Sequence, residues 1–116
     1  MARYENLPIY RKGLELTIYL EIVVRNFSRY NKYTLGERMR SLALDIVTMT
    51  IRANSERDRV KTLEELRVKI EEQKTVFHVA KEVKAFPNFN TFAHGTKLLV
   101  DLGRQNEGWL KYQRAS

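Results

Sequence analysis

Apolar and small residues return at alternating steps of four and three along four successive segments of the chain, and this spacing constrains the fold more than any other feature. An α-helix completes a turn about every 3.6 residues, so such steps draw one stripe down one face. The first stripe is Ile9, Gly13, Leu16, Leu20, Val23 and Phe27, and the second is Leu35, Met39, Leu42, Ile46, Met49 and Ala53. The third is Leu66, Ile70, Gln73, Phe77 and Ala80, with Val76 and Val83 beside it. The fourth is Phe92, Gly95, Leu99, Leu102, Asn106 and Trp109. No strand-type alternation competes with these patterns.

Local signals set the expected boundaries. Pro8 suits a first helical turn, where its missing N–H is no loss, and the polar cluster RYNKY closes a first helix over about 8–30. Thr34 and Glu37 form a capping-box pattern that opens a second helix over 35–54. Thr62 and Glu65 repeat it before a third over 63–86, which ends there because Pro87 disfavours a helical conformation in the residue before it. Asn90 is the expected cap of a fourth over 91–112. Four helices of similar length with short links predict an all-α fold, an antiparallel up-down-up-down four-helix bundle forming a single domain over 1–116. A chain of this size buries roughly 65% of its unfolded surface, enough for a modest core. There is no cysteine for a disulfide or thiolate metal site. The opening MARYENLPIYRKGLEL lacks a signal peptide's apolar segment, and no stretch approaches a membrane span. The expected setting is cytoplasmic, with no membrane partner.

Two helices carry a second apolar line away from the main stripe: Leu14, Ile18 and Ile22 on the first, and Leu44, Val47 and Ile51 on the second. A wide core stripe is one reading. The favoured one is an interface between subunits of a homo-oligomer, because contiguous exposed apolar surface marks association.

Catalytic patterns are missing. The residues three before His78 and His94 are Thr75 and Thr91, so the Glu-x-x-His signature of bundle metal sites does not occur, and no metal or other cofactor is expected. His78 and Glu82, four apart, read as a helix-face contact. No nucleophile elbow or phosphate-cradling glycine loop is present, and Glu64, Glu65, Glu71 and Glu72 alternate with Arg67, Lys69 and Lys74 as on a solvated charged face. Enzyme activity is not expected.

The charge points elsewhere. Twenty-one basic residues against fourteen acidic ones leave a net +7, which on a short chain favours a polyanionic partner, RNA or DNA. Residues 62–86 are neutral, and the surplus lies in the other three segments. Arg25, Arg29 and Lys32 fall at the end of the first helix, with Arg38 and Arg40 at the start of the second. An antiparallel hairpin brings these five to one end of the bundle and leaves Arg57, Arg59 and Lys61 near the other. These eight are the candidate nucleic-acid contacts on charge and position, with Tyr30 and Tyr33 placed to stack. A purely structural role, in which the arginines screen helix dipoles and pair with Glu37, Glu56 and Asp58, stands beside it.

The runs YTLGERMRSLALDIVTMTIRAN, LEELRVKIEEQKTVFHVAKEV and GRQNEGWL resemble the Avd-type four-helix bundle proteins, the accessory variability determinants of diversity-generating retroelements. Leu35-Gly36-x-Arg38 and the ending from Gly103-Arg104 to Gly108-Trp109 are the most specific parts, while Gln105 and Asn106 are more polar than such endings usually are. The resemblance implies a barrel-like homopentamer with a basic surface that associates with a reverse transcriptase and with template RNA or DNA. Mutagenic reverse transcription is then the work of the complex and not of this subunit. The same group includes proteins encoded in intervening sequences of bacterial 23S ribosomal RNA genes, which is an alternative setting. A structural oligomeric adaptor for a protein partner is a further one.

Overall fold

A computed structural model describes residues 3–115; Met1, Ala2 and Ser116, which the expected domain range includes, lie outside them. Four long helices make an elongated body of 46 × 21 × 21 Å: α1 (Pro8–Val24), α3 (Glu37–Ser55), α4 (Val60–Glu82) and α5 (Phe89–Ala115). A single-turn helix, α2 (Arg29–Asn31), runs through a π turn (Lys32–Gly36) into α3. Helix α1 packs on α3 and α5, and α4 packs on the same two. Asp45 meets Lys69, Arg52 meets Glu65, and Arg38 meets Glu72, so numbers fall on α4 as they rise on α3. This fits the antiparallel order expected from sequence.

The four stripes form the core. Leu16, Leu20, Met39, Ile46, Leu66, Ile70, Phe77, Leu99 and Leu102 are all fully enclosed, each contributing about 1.5–3 kcal/mol of burial. Two polar stripe residues are enclosed with them. Gln73 Nε2 donates to the Met39 carbonyl at 2.8 Å and Asn106 Nδ2 to the Leu63 carbonyl at 3.0 Å.

The ends of the helices depart from expectation. Helix α1 stops at Val24, six residues early, because Phe27 turns inward to pack edge-on against Phe86 and Ser28 Oγ accepts the Asn31 amide at 3.4 Å to start a new helix. The expected cap at Thr34 is therefore inside a helical run, where its hydroxyl donates to the Tyr30 carbonyl at 2.8 Å. The π turn around it brings Gly36 so close to α1 that a Cβ there would lie 2.5 Å from Val24 Cγ1, a contact only glycine avoids.

Helix α4 begins at Val60, whose amide is taken by Asp58 Oδ1 at 3.3 Å, while Thr62 donates its hydroxyl to the Glu56 carboxylate instead of capping. It ends at Glu82, before Pro87 acts. Ala85 N–H returns to the Ala80 carbonyl at 2.8 Å and Lys84 N–H to Lys81 at 3.0 Å, with Lys84 left-handed at φ 61°. That is a Schellman turn with lysine in the place glycine usually takes. Asn88, not Asn90, caps α5, accepting from the Thr91 amide at 2.8 Å.

Candidate nucleic-acid interface

The corner between α1 and α3 gathers five of the eight predicted basic residues. Arg25 follows the last turn of α1, Arg29 opens α2, Lys32 opens the π turn, and Arg38 and Arg40 lie on the first turn of α3. Arg25, Lys32 and Arg40 line one small groove of about 170 Å³ with Glu21 and Val24. The five are not equivalent. Arg40 forks onto Glu21, with Nη2 to Oε1 at 3.1 Å, and reaches Glu37 at 3.3 Å, while Arg38 pairs with Glu72 across to α4. The hydrogen bonds from Arg40 and Arg38 hold the Glu21 and Glu72 carboxyls below the usual carboxylate range. Arg29 and Lys32 make no ion pair within 4.0 Å among the described residues, and the Arg25 charge acts on Glu21 from a distance.

At the opposite end, Arg57 and Lys61 are exposed and without an ion pair among the described residues. Arg59 is different. Its Nε donates to the Glu56 carbonyl at 3.1 Å and its Nη2 to the Asn54 carbonyl at 3.0 Å, with the guanidinium 5.6 Å from the Trp109 ring centroid. It closes the C-terminus of α3 and braces α5, so the fold takes up donors that a phosphate would need.

The structure adds Lys81 and Lys84 to the first basic end. Summing charge over residues 62–86 hides them, because the carboxylates that neutralise the segment lie mostly along the α4 shaft while these lysines stand at its tip. The signal available in sequence was their position beside Pro87.

The second apolar line is only partly on the surface. Ile18 and Ile22 are each 54% exposed and Leu14 and Leu44 are also exposed, whereas Ile51 is half-buried. Val47 is the exception, at 7%. Gly13 lets α1 approach α3 so closely that a Cβ there would stand 3.2 Å from Val47 Cγ2, and Val47 belongs to the interior of the chain.

Among the described residues no group of three or more His, Asp or Glu side chains converges as a metal site, and no helix is long and apolar enough to cross a membrane. His78 Nε2 lies 3.5 Å from Glu82 Oε1 on the exposed face of α4.

These features define a small all-helical protein with basic groups displayed at both ends of a bundle. The chain belongs to the bAvd-like family, whose model matches residues 9–113, from the first turn of α1 to the last turns of α5. No curated protein matches it.

Proposed function

We propose that this chain is a non-enzymatic accessory subunit of a diversity-generating retroelement, a basic oligomeric bundle that holds template RNA or complementary DNA against a reverse transcriptase. Membership of the bAvd-like family over nearly the whole chain is the observation that carries this reading. The up-down-up-down antiparallel bundle suits it, since that order sets the α1–α3 corner at one end and the α3–α4 connection at the other. Of the eight basic residues expected from sequence, Arg25, Arg29, Lys32, Arg57 and Lys61 have charge to spare for phosphate, and Arg38 and Arg40 can join after leaving their carboxylates. Neutralising phosphates releases counterions, so binding of this kind is strongly salt-dependent and reads little sequence. A homo-oligomer, expected to be a pentamer, multiplies each basic end into a ring of positive potential.

The test is capture of the neighbouring reverse transcriptase together with filter binding of RNA and single-stranded DNA between about 50 and 200 mM salt. Retention of the enzyme and a steep loss of nucleic-acid affinity with salt are expected. Capture of the enzyme with no nucleic-acid affinity at any salt would instead favour a structural adaptor, and a gene lying inside a ribosomal RNA operon would favour the intervening-sequence setting.

A further inference from the structure

A groove of about 500 Å³ opens at the end of the bundle where α1 and α4 finish and α5 begins. Asn26, Lys81, Lys84 and Phe89 line it, with Phe86 and Phe92 also in its wall. The volume falls within the range of small-ligand sites, about 300–1,000 Å³. Phe89 is 66% exposed, although its ring is backed by a chain of aromatic contacts leading out of the core. Phe77 meets Phe86 at 5.5 Å, Phe86 meets Phe92 at 5.6 Å, and Phe92 meets Phe89 at 5.8 Å between ring centroids. The chain steadies Phe89 from behind and leaves its outer face to solvent, an arrangement that costs apolar hydration unless something covers it.

The chemistry around that ring suits one kind of cover. Lys84 is fixed by the Schellman turn in a left-handed conformation that glycine would adopt with less strain, and it makes no ion pair among the described residues. Lys81 Nζ lies 5.4 Å from the Phe92 centroid, and Glu82, at 3.9 Å, is its one ion-pair partner among the described residues. Asn26 is exposed and makes no side-chain hydrogen bond among the described residues, so its amide has donors and an acceptor to offer. Around this end stand Arg25, Arg29, Lys32, Arg38, Arg40, Lys81 and Lys84 against Glu21, Glu37, Glu72 and Glu82, a surplus of three positive charges. An aromatic face, an amide edge and surplus cations together match a base and its flanking phosphates. An apolar protein segment would leave the lysines without partners, and a duplex keeps its base faces inside the stack.

We propose that this groove holds one base of a single-stranded nucleic acid stacked on the Phe89 ring, with Lys81, Lys84 and Arg29 on the neighbouring phosphates. The inference rests on the nucleic-acid reading above and adds the place, the strandedness and the contact. Stacking is sequence-tolerant, because every base has an aromatic face.

The experiment uses the full chain and an oligonucleotide of about twelve nucleotides carrying 2-aminopurine at its centre, single-stranded or annealed to its complement. The wild type is expected to prefer the single strand and to quench the 2-aminopurine. Phe89→Leu keeps the site apolar and should lower single-strand affinity roughly 5- to 150-fold and abolish the quench, while Phe89→Tyr should retain both. Lys84→Asn, which suits the left-handed backbone, should flatten the salt slope by about 0.7. Wild-type affinity and quench in Phe89→Leu, with binding still salt-dependent, would overturn the groove and leave the nucleic-acid reading standing. Absence of binding to either form at roughly 50 mM salt would overturn that reading as well.

Discussion

Gln73, on α4, donates its side-chain amide to the backbone carbonyl of Met39, on α3, at 2.8 Å inside the fully enclosed core. Its Oε1 has no hydrogen-bond partner among the described residues, so the residue is half satisfied. An orphaned buried oxygen offsets much of what the amide contributes. Gln73→Met keeps the volume and removes both, and is expected within about 1 kcal/mol of wild type in urea denaturation. Gln73→Ala also leaves a cavity and should cost about 2–4 kcal/mol. Equal losses in the two variants would mean that the hydrogen bond, not packing, holds this layer.

Lys84 sits at φ 61°, where a Cβ crowds the backbone. Lys84→Gly relieves that strain at some cost in unfolded-state entropy, and a gain of about 0.5–1 kcal/mol is expected. Lys84→Val should destabilise by more than about 1 kcal/mol. Thermal melts at one protein concentration decide it, and a destabilised glycine variant would count against the strained turn.

The four core stripes were legible in sequence because burial acts on a whole helix, and one competing contact cannot shift a period sustained over five or six successive stripe positions. Helix ends were less legible because each is settled by a few atoms. Thr34 and Thr62 both matched a capping pattern, yet their hydroxyls serve Tyr30 and Glu56, since Ser28 and Asp58 had already opened the helices upstream. Among the candidate site residues, side-chain partners made the difference. Charge and position grouped Arg57 with Arg59, but only the fold shows that Arg59 returns to the backbone of α3. Val47 read as surface until Gly13 brought the two helices together.

Glu21 and Glu72 occupy Arg40 and Arg38, and Glu107 is held by Arg67 through two bonds of 2.7 Å. All three carboxyls titrate below their usual range because of these hydrogen bonds. A depressed folded-state value means stability that is present above the unfolded value of about 4.3 and lost as pH falls. The melting temperature should therefore hold between about pH 7 and 5.5 on account of these groups and decline below about pH 4.5. The triple Glu→Gln variant should show a shallower decline. In nucleic-acid binding the pairs work the other way: Glu21→Gln with Glu72→Gln releases two arginines, so affinity is expected to rise and the salt slope to steepen by up to about 0.7 per arginine on a single strand. An unchanged slope would mean that Arg38 and Arg40 do not reach the ligand.

Arg57 and Arg59 lie two positions apart and should behave oppositely on mutation. Arg59→Ala removes two bonds to carbonyls and the contact with Trp109, so a loss of about 1–2 kcal/mol of stability is expected with little change in RNA affinity. Arg57→Ala, from an exposed side chain without an ion pair among the described residues, should leave stability within about 0.5 kcal/mol and weaken binding. Paired urea and filter-binding measurements separate the two roles, and a selective binding defect in Arg59→Ala would reverse the assignment.

Ile18 and Ile22 present adjacent turns of one exposed face of α1, so a charge on either has no interior to disrupt. If that face joins subunits, Ile18→Asp with Ile22→Asp should dissociate the assembly in sedimentation velocity while the helical circular dichroism persists, because desolvating two carboxylates at an interface outweighs its apolar gain. Val47→Asp places the same group beside Gly13 in the core, and unfolding is expected before any effect on association can be read. The contrast separates a surface that joins copies from one that merely widens the core. A wild-type protein that sediments as a monomer at micromolar concentration would remove the interface, and with it the ring that multiplies the basic ends.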